Sequence, residues 1–222
     1  MHVGMIIGIG PAATDFYYRS ILGIAGPRGA ALDLTMAHAD TPTLLRHQSA
    51  NDVAAQVAIY LRLAQRLQAA GAEAIAVTSI AGHFCIGDFE RASPLPVINL
   101  VTEVNRAAKA AGHRKLGIIG TRVAMQSRFY GALTDAEVMV PPGALLDAVH
   151  EAYIAMATQG AVTAAQRAIF LEAGHALMAA GAEAIMLGGT DLALAFPGGQ
   201  APFPLLDCAG IHAAAIARAA LD

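Results

Sequence analysis

Apolar and polar positions along the chain alternate between short unbroken apolar runs and longer stretches at helical spacing. Val3 to Ile9 is a short apolar run that Gly10-Pro11 breaks. A helix follows through Phe16, Tyr17 and Ile21-Leu22, which Thr14 or Asp15 can cap and Gly26-Pro27 ends. Ala30 to Met36 reads as a second strand, and Pro42 to Asp52 as a loop and helix start. Val53, Val57, Leu61, Ala64 and Leu67 then repeat at helical spacing up to Gly71. Ala74 to Val77 is a third strand, continuously apolar as in a sheet covered on both faces. Beyond Pro94-Leu95-Pro96 the pattern starts again. It predicts a short strand or crossover at Val97-Ile98-Asn99, a helix from about Leu100 to Ala111, a strand from Lys115 to Ile119 and a short strand near Glu137 to Val140. Helices over 145–158 and 163–180, a strand over 184–187, a short strand over 202–206 and a terminal helix over 208–221 complete it. Such alternation implies right-handed crossovers and a parallel sheet.

The two rounds share a seven-residue string. Ala69-Ala70-Gly71-Ala72-Glu73-Ala74-Ile75 recurs as Ala179-Ala180-Gly181-Ala182-Glu183-Ala184-Ile185. Ile118-Ile119-Gly120 echoes Ile6-Ile7-Gly8, and Phe129-Tyr130 echoes Phe16-Tyr17. The expected architecture is therefore α/β, with two pseudo-symmetric parallel-sheet (Rossmann-like) subdomains and the active-site cleft between them. The repeat also fixes a register in which Ser79 is the mate of Gly189.

Composition removes several alternatives. Hydrophobic residues reach 56% and charged ones only 14%, but much of the excess is helical alanine and no run approaches the ~18 apolar residues of a spanning helix. With no charged leader or cleavage site in view, the chain reads as cytoplasmic. Net charge is -3 with no basic cluster and no Trp, so nucleic-acid binding has no footprint. Two cysteines, Cys85 and Cys208, make no disulfide framework and are expected reduced. The alanine-rich helices point to an additional buried face, hence a homodimer.

Ligands of open parallel sheets bind beyond the carboxyl ends of the strands, and the polar signals lie there. Gly8-Ile9-Gly10-Pro11-Ala12-Ala13-Thr14 lacks the lysine of a phosphate loop, yet it points backbone N–H groups and Thr14 toward a helix N-terminus suited to a carboxylate. Thr78-Ser79 and Gly188-Gly189-Thr190-Asp191 offer hydroxyls and loop amides; Gly120-Thr121-Arg122 offers a cap and a cation. The bland alternative makes all of these turn and capping residues. His83 is the leading functional histidine; His150 and His212 read as buried and hydrogen-bonded; His38, Asp40, Arg46 and His47 form a second charged loop. No histidine pair has metal-ligand spacing, so no metal is expected.

Taken together, these segments resemble the aspartate/glutamate racemase family of cofactor-independent enzymes almost end to end. Gly8 to Thr14 resembles that family's opening glycine-methionine-glycine-proline turn. Leu116 to Arg122 with Ser127 and Tyr130 resembles its central segment, and Pro141, His150, Gly160 and Arg167 fall on similar residues. Leu187-Gly188-Gly189-Thr190-Asp191-Leu192 resembles its leucine-glycine-cysteine-threonine-glutamate motif; Asp207 and His212 resemble residues of its last helix. The resemblance implies removal of an α-proton on one face of an amino acid and delivery on the other, with no cofactor. It also implies that the terminal helix packs back on the first half, giving subdomains 1–98 plus 208–222 and 99–207. The chain departs from the family at both thiols: Ser79 and Gly189 stand where the two cysteines fall, while His83 keeps the family's following histidine. The expectation is an enzyme acting at the α-carbon of a small amino acid or carboxylic acid. Ser79, His83 and Asp191 would be its catalytic groups, and Gly10, Thr14, Thr78, Thr121, Gly189 and Thr190 its substrate contacts. The alternatives are a carboxylate-binding protein without turnover, and a divergent isomerase, lyase or hydrolase that uses Ser79.

Overall fold

A computed structural model describes residues 1–8 and 11–222. The strands are β1 Val3–Ile7, β2 Leu34–His38, β3 Ala74–Val77, β4 Val97–Ile98, β5 Lys115–Gly120, β6 Glu137–Met139, β7 Ala184–Gly188 and β8 Leu205–Leu206. The helices are α1 Pro11–Ala25, α2 Thr41–Ser49, α3 Val53–Ala69, α4 Ile86–Ala92, α5 Leu100–Ala110, α6 Arg122–Gln126, α7 Ala144–Gln159, α8 Ala164–Ala179 and α9 Cys208–Leu221. Among the described residues the strands form two four-stranded parallel sheets, ordered β2-β1-β3-β4 and β6-β5-β7-β8. The second order is the first with four added to each strand number. The expected α/β class with two like subdomains is what the chain adopts. One compact unit comprises Met1–Glu103 with Gly210–Asp222, the other Val104–Ala209.

The repeated string is a helix stop followed by a strand start. Gly71 and Gly181 take φ of 95° and 100°, a left-handed conformation that glycine adopts without a Cβ penalty. In each unit the next alanine N–H reaches back to a leucine carbonyl (Ala72 to Leu67, Ala182 to Leu177, both 3.0 Å), closing a Schellman motif over the helix end. The glutamate then ties the turn to the neighbouring strand. Glu73 Oε2 accepts the His2 N–H at 2.9 Å, and Glu183 Oε2 accepts the Arg114 N–H at 2.6 Å. Each string thereby sets where β3 or β7 begins, and so where it ends.

The cores follow the apolar pattern. On α3, Tyr60, Leu63, Ala64 and Leu67 are buried at i, i+3, i+4 and i+7 against Ile6, Ile75 and Val77 of the first sheet. In the second unit Leu116, Ile118, Phe170, Leu177, Ile185 and Leu187 are buried. A fully buried leucine or phenylalanine contributes about 1.5–3 kcal/mol. Asp52 caps α3 through the Ala55 N–H at 3.0 Å, and Thr163 with Gln166 forms a capping box on α8.

Some boundaries differ from the pattern reading. The second strand is Leu34–His38 and not Ala30 to Met36, because Gly26–Arg28 forms a 3-10 turn closed by left-handed Gly29 and the ladder to β1 begins only at Leu34. Helix α1 begins at Pro11, so neither Thr14 nor Asp15 is its cap. Residues 42–49 belong to α2, capped by Asp40 through the Thr43 N–H at 2.9 Å. Helix α4 is too short for its period to register in the sequence.

Candidate active site

In the first unit the carboxyl ends of β1 and β3 lie on adjacent, hydrogen-bonded strands. Gly8, just past β1, donates its N–H to Thr14 Oγ1 at 3.2 Å, and its carbonyl accepts the Thr41 hydroxyl. Thr14, in the first turn of α1, thus ties the helix to the end of β1; Gly10 lies outside the described residues. Thr78 is committed elsewhere. Its N–H (3.0 Å) and its hydroxyl (3.1 Å) both donate to the Ile6 carbonyl, so it braces the strand ends and has no donor left for a substrate.

Ser79 is buried, and its Oγ accepts the Gly82 N–H at 3.1 Å. That bond holds the 3-10 turn Ala81–Cys85 and leaves the hydroxyl proton available to donate. His83, four residues on and 1% exposed, bonds through Nδ1 to the Ser79 carbonyl. A carbonyl only accepts, so Nδ1 carries the proton and Nε2 presents a lone pair. His83 Nε2 is buried without a hydrogen-bond partner among the described residues. Burial pulls the His83 pKa down to about 4, against a smaller rise from the Ser79 carbonyl, so the ring is neutral at pH 7.

Edge-on to His83, at 6.1 Å between ring centroids, sits His212 of α9. Its Nε2 donates to the Ile98 carbonyl at 2.8 Å, which fixes Nδ1 as acceptor for the Tyr17 hydroxyl at 2.9 Å. Burial, with the neighbouring His83, lowers its pKa to about 3. The sequence reading of His212 as a buried, bonded histidine describes its position; Tyr17, its partner 195 residues away, gave no local signal.

In the second unit β5 and β7 are likewise adjacent. Thr121 caps α6 by accepting the Ala124 N–H at 3.2 Å. Arg122 pairs with Asp147, and its main-chain N–H is accepted by His150 Nδ1 at 3.1 Å, so both are engaged within the unit. Thr190 and Asp191 are buried in the 3-10 turn after β7. Tyr153, from α7, donates its hydroxyl to Asp191 Oδ2 at 3.2 Å, beside the buried Thr190.

Gly189 is where sequence reasoning missed a residue. A Cβ placed on Gly189 would stand 2.2 Å from Tyr153 Cε2 and 2.6 Å from its Cζ. The space a side chain would take at 189 is filled by the Tyr153 ring. Burial, then the Asp191 charge and its hydrogen bond, push the Tyr153 phenol well above its usual pKa.

The remaining candidates occupy structural places. Arg46 bonds Thr43 Oγ1 and His47 bonds Gln56 Oε1, each at 2.9 Å, while Asp40 is the α2 cap. Both cysteines are free and buried. Burial raises Cys85 to about 12 and pushes Cys208 well above the ordinary thiol range, with Asp207 adding to it. At Cys208, the first residue of α9, desolvation outweighs the pull of a helix start toward the thiolate. Among the described residues no cluster of three His, Cys, Asp or Glu side chains is placed to hold a metal, and no helix is long and apolar enough to cross a membrane.

The chain matches known structures along its whole length. A candidate Asp/Glu racemase from Yersinia pestis shares 28% identity with a TM-score of 0.86, covering 100% of each chain. An aspartate racemase homologue from Pyrococcus horikoshii shares 23%, with a TM-score of 0.82 over 100% of this chain and 99% of that one. The aspartate racemase of Picrophilus torridus shares 15% with a TM-score of 0.75, over 99% and 94%. The likenesses below 25% identity show the fold. The Asp/Glu/hydantoin racemase model matches residues 6–216, so the chain belongs to that family.

Proposed function

We propose that this protein acts without a cofactor at the α-carbon of a small amino acid or carboxylic acid, by proton transfer at a site that works without the two thiols. The observation that carries this reading is His83: a neutral imidazole beside Ser79, its Nε2 lone pair buried and unpartnered among the described residues. Buried polar atoms in folded proteins are rarely left so. A substrate proton is one partner that would satisfy it. Ser79 supplies a hydroxyl donor beside it, held in place by the Gly82 N–H. On the β7 side Asp191, in its hydrogen bond with Tyr153, takes part in proton movement, and Gly189 and Thr190 line the strand end. Thr14, Thr121 and Gly10 are the contacts for the substrate carboxylate, and the protein works as a cytoplasmic homodimer.

A second reading, a carboxylate-binding protein without turnover, draws support from the same His83, because a base pulled down to about 4 is a weak acceptor for a carbon-bound proton. A hydrolase built on Ser79 has less support: His83 Nδ1 bonds the Ser79 carbonyl, not its hydroxyl, so His83 does not activate that oxygen.

Proton NMR in deuterium oxide tests the proposal, following the α-proton of aspartate, glutamate and a panel of small carboxylic acids. Exchange that the protein accelerates and that His83→Asn abolishes is the expected result. The Asn side chain keeps the donor to the Ser79 carbonyl and removes the second nitrogen. No exchange across the panel, together with ligand-induced thermal stabilisation, selects the binding protein.

A further inference from the structure

We propose that Tyr153 is the proton donor at the β7 end, its phenol occupying the volume that a side chain at position 189 would fill. The inference rests on the α-carbon reading above and assigns that reading a group for the face that Gly189 leaves bare.

The geometry is local to the second unit. The ring edge that crowds Gly189 is the Cε2–Cζ edge, which carries the hydroxyl. A cysteine Sγ would lie beyond its Cβ in that same volume, so the phenol and a thiol at 189 exclude each other. The hydroxyl is placed by Asp191 Oδ2 at 3.2 Å, on the turn that leaves β7, where parallel sheets bind ligands. Tyr153 is buried at 5% exposure, so its orientation is set by packing and not by solvent.

The step balances simply. The first-face base takes the α-proton and leaves the electron pair on the planar carbanion. The Tyr153 O–H bond then breaks as a new Cα–H bond forms, and its electron pair stays on the phenol oxygen. Proton return from the first-face base through solvent restores both groups. A phenol kept protonated by its surroundings is suited to giving a proton, since an α-carbanion is far more basic than a phenolate even when the phenol pKa is raised.

Tyr153→Phe keeps the ring over Gly189 and removes only the hydroxyl. The test follows α-proton exchange in deuterium oxide together with chiral analysis of the product. In the wild type, exchange with inversion is expected. In Tyr153→Phe, exchange with retention persists while inversion falls by about 100-fold or more, the usual contribution of a general acid. The double variant Tyr153→Ala with Gly189→Cys, which puts a thiol in the vacated volume, is expected to regain inversion with a pH profile moved toward that of a thiol. Inversion unchanged in Tyr153→Phe overturns the assignment and leaves the α-carbon reading standing. Wild-type exchange without inversion overturns it as well. Absence of any wild-type exchange removes both.

Discussion

The carboxyl ends of β3 and β7 are reached through the same seven residues, the same left-handed glycine and the same helix closure, and then part company. After β3 the strand-end residue itself carries the polar group: Ser79 holds its own turn, and a tyrosine from the preceding helix, Tyr60, presses on Gly82, where a Cβ would lie 2.2 Å from its hydroxyl. After β7 the strand-end residue carries nothing, and a tyrosine from α7 covers it. A duplicated backbone has kept the location while the side chain that occupies it comes from the strand in one unit and from a helix in the other. The position of a strand end and the residue that fills the space there are separable properties.

Acid is expected to expose the largest difference. His83 and His212 both belong to the first unit, with pKa values lowered to about 4 and about 3 from 6.5. Below about 6.5 the unfolded chain binds protons that the folded chain refuses, so stability present at neutral pH is lost as pH falls toward those folded values. Each histidine removes on the order of 2 kcal/mol between pH 6.5 and 5. Urea denaturation at pH 7 and pH 5 reads the loss. His83→Asn should roughly halve it, and an unchanged slope would place the acid sensitivity elsewhere.

The same substitution made at both strand ends should cost unequal amounts. Gly189→Cys forces the Tyr153 ring to move and is expected to destabilise by about 1–3 kcal/mol through overpacking. Ser79→Cys weakens one hydrogen bond to the Gly82 N–H, worth about 1 kcal/mol. In a double-mutant cycle the cost of Gly189→Cys should shrink markedly in a Tyr153→Ala background. Additive costs would mean that the ring does not constrain position 189.

Where the units agree, the effects should agree. Gly71→Ala and Gly181→Ala each place a Cβ in a left-handed turn at about 1–2 kcal/mol, and the two values should match within about 1 kcal/mol, with Gly71 the costlier because its Cβ would lie 3.3 Å from His2 Nδ1 where Gly181 meets nothing within 4 Å. Thermal or chemical denaturation decides it; a difference above 1 kcal/mol would show that the strings are alike in sequence and shape but not in energy.

The sequence was informative wherever structure is local or repeated. The string around Gly71 and Gly181 marked the helix stops and the starts of β3 and β7, and hence the Ser79–Gly189 register. It was silent where a partner comes from far along the chain. Tyr153 reads as one more apolar position on α7, because helical spacing says which face is buried and nothing about which backbone atom the ring meets. The usable signal was indirect: a glycine at a strand end leaves a volume that close packing fills from elsewhere. Thr78 misled for a related reason. A hydroxyl at a strand end is visible in the sequence, but the carbonyl of Ile6 that consumes it becomes adjacent only after β1 and β3 pair.

The Tyr17–His212 hydrogen bond has a consequence for the order of synthesis. It joins α1 to α9 inside one unit, while Val104–Ala209 forms the other unit in between. In translation from the amino end, every residue of the second unit is joined to the chain before His212 is. The first unit, though begun earlier, must wait with the Tyr17 hydroxyl and the Ile98 carbonyl lacking their imidazole. The half of the chain that is made first is completed last.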